Sequence, residues 1–222
     1  MRRFLLTSLA LLACLSAPQQ TIGSNSIKGK DLPNFIMVAP VLFRGGQPSG
    51  RGLEQLKAMG VKTIISLRHN RKQVVWEQKQ AELLGLTFKR LPMDGLHKPS
   101  KSTISEFLKI VQNPANQPVF IHCEWGLDRT GSLIGIYREE VQKWSAKDAY
   151  DEMVSLGFEK KYVWLADSVF NYEEDKLGTA SDGRPRSVRF YDSVQAAIGT
   201  RPNHKARPKP VQSANKEANA PS

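Results

Sequence analysis

Residues 118–141 read PVFIHCEWGLDRTGSLIGIYREEV, and the change of periodicity inside this stretch decides the fold. Val119 to Ile121 is a short continuous apolar run, the pattern of a strand buried on both faces. Leu133, Ile134, Tyr137 and Val141 instead recur at helical spacing, which predicts a helix over 129–144. Cys123 to Arg129 is thereby a strand-to-helix loop, at the end of the strand where parallel α/β sheets collect their ligands.

Working outward, the same alternation continues. Upstream, 35–48 suggests two short strands closed by glycines, followed by a helix over 52–59 that Gly60 stops. A strand is expected over 61–67 (VKTIISL), a helix over 74–84, a strand over 86–93 and a helix over 102–111. Downstream, helices over 146–156 and 162–175 close the unit. Apolar strands separated by ten-residue helices give an α/β class, with a central, mostly parallel sheet flanked by helices. No internal repeat is present.

The chain has 222 residues, 40% hydrophobic and 24% charged, enough for one core with appendages. No apolar run reaches the ~20 residues of a membrane span. The net charge of +11 is concentrated at the ends, with eight basic residues against three acids from Ser181 onward and Arg2 and Arg3 at the start. The body is only mildly basic, so no specific nucleic-acid binding is expected of it. Residues 1–14 read as an export signal whose end, Leu11-Leu12-Ala13-Cys14, resembles a bacterial lipobox. The expectation is a lipidated Cys14 tethering an exported protein to a membrane, in the bacterial periplasm or as an outer-membrane lipoprotein. A linker over 15–30, a folded domain over 31–178 and a basic tail over 179–222 complete the organisation.

The only other cysteine is Cys123, so no disulfide survives processing, and a lone exported thiol points to reactivity. The loop Glu124, Trp125, Gly126, Leu127 and Asp128 lets successive N–H groups curl round one tetrahedral anion while the helix aims its positive end at the same point. Arg129 can grip two phosphate oxygens at once. The same positive surroundings lower the Cys123 pKa, Gly126 relieves the tight curve, and the Thr130 hydroxyl can reach the sulfur.

His122-Cys123, five residues, then Arg129-Thr130 resembles the signature of the cysteine-dependent protein-tyrosine-phosphatase superfamily. Phe43-Arg44-Gly45-Gly46-Gln47-Pro48 and the stretch after Arg129 resemble its compact dual-specificity-like members. The resemblance implies that Cys123 attacks phosphorus, that Arg129 clamps the phosphoryl oxygens, and that an aspartic acid protonates the leaving oxygen. It also implies that His122 tunes the thiolate and that neither metal nor cofactor is needed. Asp94, in LPMDGLHKPS between a strand and a helix, matches the acid's place; Asp128 is the rival, as in some lipid-phosphatase branches.

Two cationic clusters, Arg68, Arg71 and Lys72 after one strand and His97, Lys98 and Lys101 after another, are candidates for the pocket rim. Together they point to a highly anionic small molecule and resemble the inositol-polyphosphate, or cysteine phytase, branch. A protein-tyrosine or dual-specificity protein phosphatase is the alternative. An inactive phosphate-binding module and a sulfurtransferase are more remote, because Cys123, Arg129 and Asp94 are all present.

Overall fold

The computed structural model describes residues 29–177. The expected export signal, Cys14 and the basic tail lie outside the described residues. Five short strands form one sheet: β1 (Ile36–Ala39), β2 (Leu42–Gly45), β3 (Thr63–Ser66), β4 (Thr87–Arg90) and β5 (Val119–His122). Their order is β1-β2-β5-β3-β4, and only the β1–β2 pair is antiparallel. β5 is central and buried at all four positions, so its continuous apolar run reflects cover on both faces.

Alternation along β5 divides two cores. Val119 and Ile121 join Leu133, Ile134, Phe107 and Tyr150, whereas Phe120 joins Leu53, Leu56 and Ile64. The first core is covered by α3 (Lys101–Gln112), α4 (Arg129–Glu140), α5 (Ala146–Ser155) and α6 (Val163–Phe170), the second by α1 (Gly50–Ala58) and α2 (Arg71–Leu83). Ser49, Ser100 and Ser145 each accept the amide of the residue three positions on, at 3.1 Å, which fixes the starts of α1, α3 and α5. α4, like α6, lacks such a cap: Asp128 makes no side-chain bond to the first turn. The amides at that helix start are left for another acceptor.

Four elements differ most from the sequence reading. The helix expected over 162–175 breaks at Asn171 into α6 and α7 (Tyr172–Leu177). The helix expected over 129–144 ends at Glu140, where the chain turns through Lys143 at φ 60°. The strand expected over 86–93 shortens to β4, a mostly exposed edge strand. α2 begins at Arg71, because Asn70 accepts from the Gln73 amide at 3.4 Å and starts the helix a turn early.

Candidate active site

β5 delivers Cys123 to the carboxyl end of the sheet, 2% exposed, with its sulfur accepting the Gly126 N–H at 3.2 Å. That bond requires the loop to turn back on itself, and Gly126 adopts φ +75° to do so. A Cβ there would lie 2.1 Å from the Gly45 backbone, so only glycine fits, on conformation and on space. Burial raises the thiol pKa, but the Arg129 charge, the Thr130 hydroxyl and the Thr130 and Gly126 N–H groups outweigh it, leaving the pKa below the ordinary thiol value. The Thr130 hydroxyl is itself buried and neighbours the sulfur without meeting it in full hydrogen-bond geometry.

Arg129 opens α4 and donates through Nη1 to the Met93 carbonyl at 3.2 Å, which draws the loop after β4 over the same spot. The next residue on that loop is Asp94. Its carboxylate is exposed and accepts the amides of Leu96 at 2.8 Å and His97 at 3.1 Å and meets His97 Nδ1 at 2.6 Å. The His97 side-chain bond is the largest of several causes that hold the Asp94 pKa below its usual value. Asp128, by contrast, is buried, and its Oδ1 accepts the Glu159 amide at 2.9 Å, tying the loop after β5 to the α5–α6 connection.

His122 is fully buried. Its Nδ1 lies 3.0 Å from the Cys123 carbonyl, and its Nε2 lies 2.7 Å from Glu77 Oε1 on α2. Sequence reading missed Glu77. The signal was present, since Val74, Glu77 and Ala81 share the inward stripe of α2 and a carboxylate on such a stripe needs a buried partner. Among the loop residues, Trp125 is half-buried and Leu127 packs near Gly157.

The expected cationic rim is corrected in three places. His97 is turned to Asp94, and Lys98 is paired with Asp167 of α6. Arg71 and Lys72 are exposed residues of the first turn of α2, not of a loop. Lys101 is exposed at the start of α3. Arg68 is the cation drawn into the site: it is 6% exposed, 3.5 Å from Glu124, and donates to Gln47 at 3.4 Å. Burial lowers its pKa most, and the nearby Arg129 charge adds to that effect. Among the described residues, no group of three or more His, Cys, Asp or Glu is arranged to hold a metal ion.

A strand-to-helix loop with an acidified thiol, an uncapped helix start, an arginine over the bowl and an aspartate on the neighbouring loop can seat a phosphoryl group beside a sulfur nucleophile. Residues 28–169 match the family model described as "DSP-PTPase phosphatase fused to NAD+ Kinase". The chain belongs to the DSP-PTPase phosphatases. The family relatives include inositol diphosphatase SIW14 of Saccharomyces cerevisiae, 28% identical over 152 residues that cover 65% of this chain and 52% of the relative. Inositol diphosphatase DSP4 of Arabidopsis thaliana is 30% identical over 123 residues, covering 54% and 61%. This DSP-PTPase chain thus spans only part of these curated relatives' length. The crystal structure of the SIW14 core catalytic domain has a TM-score of 0.56 at 27% identity, covering 66% of this chain and 90% of that one. That of P. aeruginosa TpbA in complex with pTyr has a TM-score of 0.59 at 21% identity, covering 72% and 96%, and shares the DSP-PTPase fold.

Proposed function

We propose that the protein is a phosphoric-ester hydrolase that works through a cysteinyl phosphate at Cys123 and acts on inositol polyphosphates, including diphosphate-bearing ones. The Cys123 thiolate attacks phosphorus as the ester P–O bond breaks, and Asp94 gives its proton to the leaving oxygen. Water then cleaves the S–P bond, returning its proton to the Asp94 carboxylate and releasing inorganic phosphate. Loop N–H groups and Arg129 hold the three phosphoryl oxygens in both steps. Asp94 is favoured over Asp128 because its loop is exposed and joined to Arg129 through Met93, whereas Asp128 is committed to the Glu159 amide.

The observation that carries the substrate class is Arg68, a buried guanidinium 3.5 Å from Glu124 of the loop that already has Arg129. One phosphate is satisfied by the loop and Arg129, so further positive charge acts only on substrates that bring more phosphates. Two relatives named inositol diphosphatases support the same reading. The test is relative kcat/KM on phytate, a diphosphoinositol polyphosphate, a phosphotyrosine peptide and a small aryl phosphate. The inositol substrates should rank first. Arg68→Gln should raise KM for them by about an order of magnitude while leaving the aryl phosphate nearly unchanged. A preference for the phosphotyrosine peptide would make the enzyme a protein phosphatase.

The acid assignment gives a pH prediction with a definite sign. The acid must be protonated to donate, so activity falls as pH rises through its pKa. Because the His97 bond is the main influence lowering that pKa, His97→Ala should move the basic limb of the pH–rate profile upward. Asp94→Asn should remove the limb and slow poor leaving groups far more than activated aryl phosphates. A limb untouched by both changes and removed by Asp128→Asn transfers the role.

A further inference from the structure

Five consecutive carbonyls of the phosphate loop have partners outside its bowl. The Cys123 carbonyl faces His122 Nδ1 at 3.0 Å, and that of Glu124 accepts the Gln47 N–H at 3.0 Å. The Trp125 carbonyl accepts from Asn34 Nδ2 at 2.9 Å. Gly126 accepts from Arg44 Nη2 at 2.6 Å, and Leu127 from the same nitrogen at 3.4 Å and from the Gly131 N–H at 3.1 Å. A trans peptide points its C=O and the following N–H in opposite directions. Pulling these carbonyls outward therefore turns the N–H groups of Glu124 through Asp128 inward. One peptide displays both ends of the device: Trp125 C=O is held by Asn34 while Gly126 N–H points at the Cys123 sulfur.

Three of the outside donors, Asn34, Arg44 and Gln47, come from one segment, the β1–β2 hairpin with its entry and exit. Its backbone also touches the loop directly, through the contact that forces glycine at 126. β2 pairs with β5 in register, Arg44 beside Ile121 and Gly45 beside His122, so the hairpin ends level with the loop. Arg44 is 1% exposed, and its Nε and Nη1 find no hydrogen-bond partner among the described residues. A buried cation with two orphaned donor groups is poorly explained by stability, since an apolar residue of similar volume commonly serves as well. Burial pushes its pKa down to about 10, so it is still a cation at neutral pH. Asn34 is held at φ 51°, a conformation asparagine tolerates better than most residues.

We infer that Arg44 and Asn34 are positioning residues that hold the phosphate loop in its oxyanion-binding form before any ligand arrives, the hairpin serving as a rigid template for the loop amides. The inference rests on reading the Cys123 loop as the phosphoryl seat. It does not depend on the inositol substrate.

The test uses the full chain, tungstate as an inorganic oxyanion, and calorimetry, with the Cys123 thiol pKa read from pH-dependent alkylation of its peptide. Arg44→Met should weaken tungstate binding on the order of 10²-fold and raise the thiol pKa, with a melting temperature no lower than wild type. Arg44→Lys should restore most of the thiol pKa but not the affinity, because the lysine nitrogen ends one bond short of the position from which Nη2 reaches both carbonyls. Asn34→Gly keeps the positive φ available, removes the amide, and should weaken binding about tenfold. Leu53→Ala, in the core on the opposite face, should lower the melting temperature and leave tungstate binding unchanged. Tungstate affinity within twofold of wild type in folded Arg44→Met overturns the inference, and so does complete rescue of affinity by lysine, which would make Arg44 a point charge. If neither Arg44 variant folds, unchanged affinity in Asn34→Gly overturns it. A substrate panel that rejects inositol phosphates leaves all these outcomes readable, since tungstate carries no inositol.

Discussion

Replacing Cys123 by serine should lower turnover on every phosphate ester by on the order of 10³-fold or more while leaving phosphate binding within a few-fold of wild type. The two side chains differ by one atom, and the site is 2% exposed, so the loop has little reason to move. What changes is ionisation. The Arg129 charge and the N–H groups of Gly126 and Thr130 outweigh burial and bring the thiol pKa down, but a serine hydroxyl starts far too high for the same surroundings to ionise it at neutral pH. Binding and chemistry are separated by this one substitution. Titrating inorganic phosphate into the variant and measuring single-turnover rates would show the separation, and loss of both together would mean that the loop had collapsed.

The second large effect is expected at Arg129. Its guanidinium is tethered by Nη1 to the Met93 carbonyl, which fixes its plane over the loop, and the remaining donors form the fork that a phosphoryl group accepts. Lysine keeps the charge and loses the fork. Arg129→Lys should cost on the order of 10²- to 10³-fold in kcat and leave the Cys123 pKa nearly unchanged, because the charge that lowers it is retained. Arg129→Met should cost at least as much and also move the acid limb of the pH–rate profile upward. The limb rises because the thiol loses the charge opposing its burial. Equal activity of the lysine variant and wild type would reduce Arg129 to a source of potential. The Met93 tether adds a further consequence, in that both substitutions should loosen the Asp94 loop and make it more accessible to proteolysis.

The Cys123–Arg129 loop was legible in the sequence because its parts are neighbours in the chain. Cys123, Gly126 and Arg129 are fixed by a strand that ends and a helix that begins within seven residues, and periodicity locates both. The sheet was legible for the same reason: β3 and β5 are buried at every position, β5 carrying the apolar run Val119 to Ile121 and β3 the pair Ile64 and Ile65. What escaped notice depends on partners far apart in sequence. Lys98 looked like a rim cation until the fold brought Asp167 to it, and His97 until a loop turn set it on Asp94. Arg44 was visible only as part of a resemblance, since its partners lie more than 80 residues away. Glu77 and His122 are likewise joined where α2 packs on the sheet, by packing that no local pattern encodes. The break at Asn171 between α6 and α7 falls in a stretch, 162–177, that has no proline or glycine to mark a stop.

The central claim is that phosphate leaves the substrate by way of the Cys123 sulfur. Asp94→Asn enzyme, slowed in returning the intermediate to water, can be mixed with an activated aryl phosphate, quenched in acid within one turnover, digested and mapped by mass spectrometry. The account predicts one phosphoryl group on the peptide bearing Cys123, absent when Cys123 is also changed to serine, with a burst of aryl alcohol equal to the enzyme concentration. A burst without phosphate on that peptide, or phosphate carried by any other residue, would contradict it.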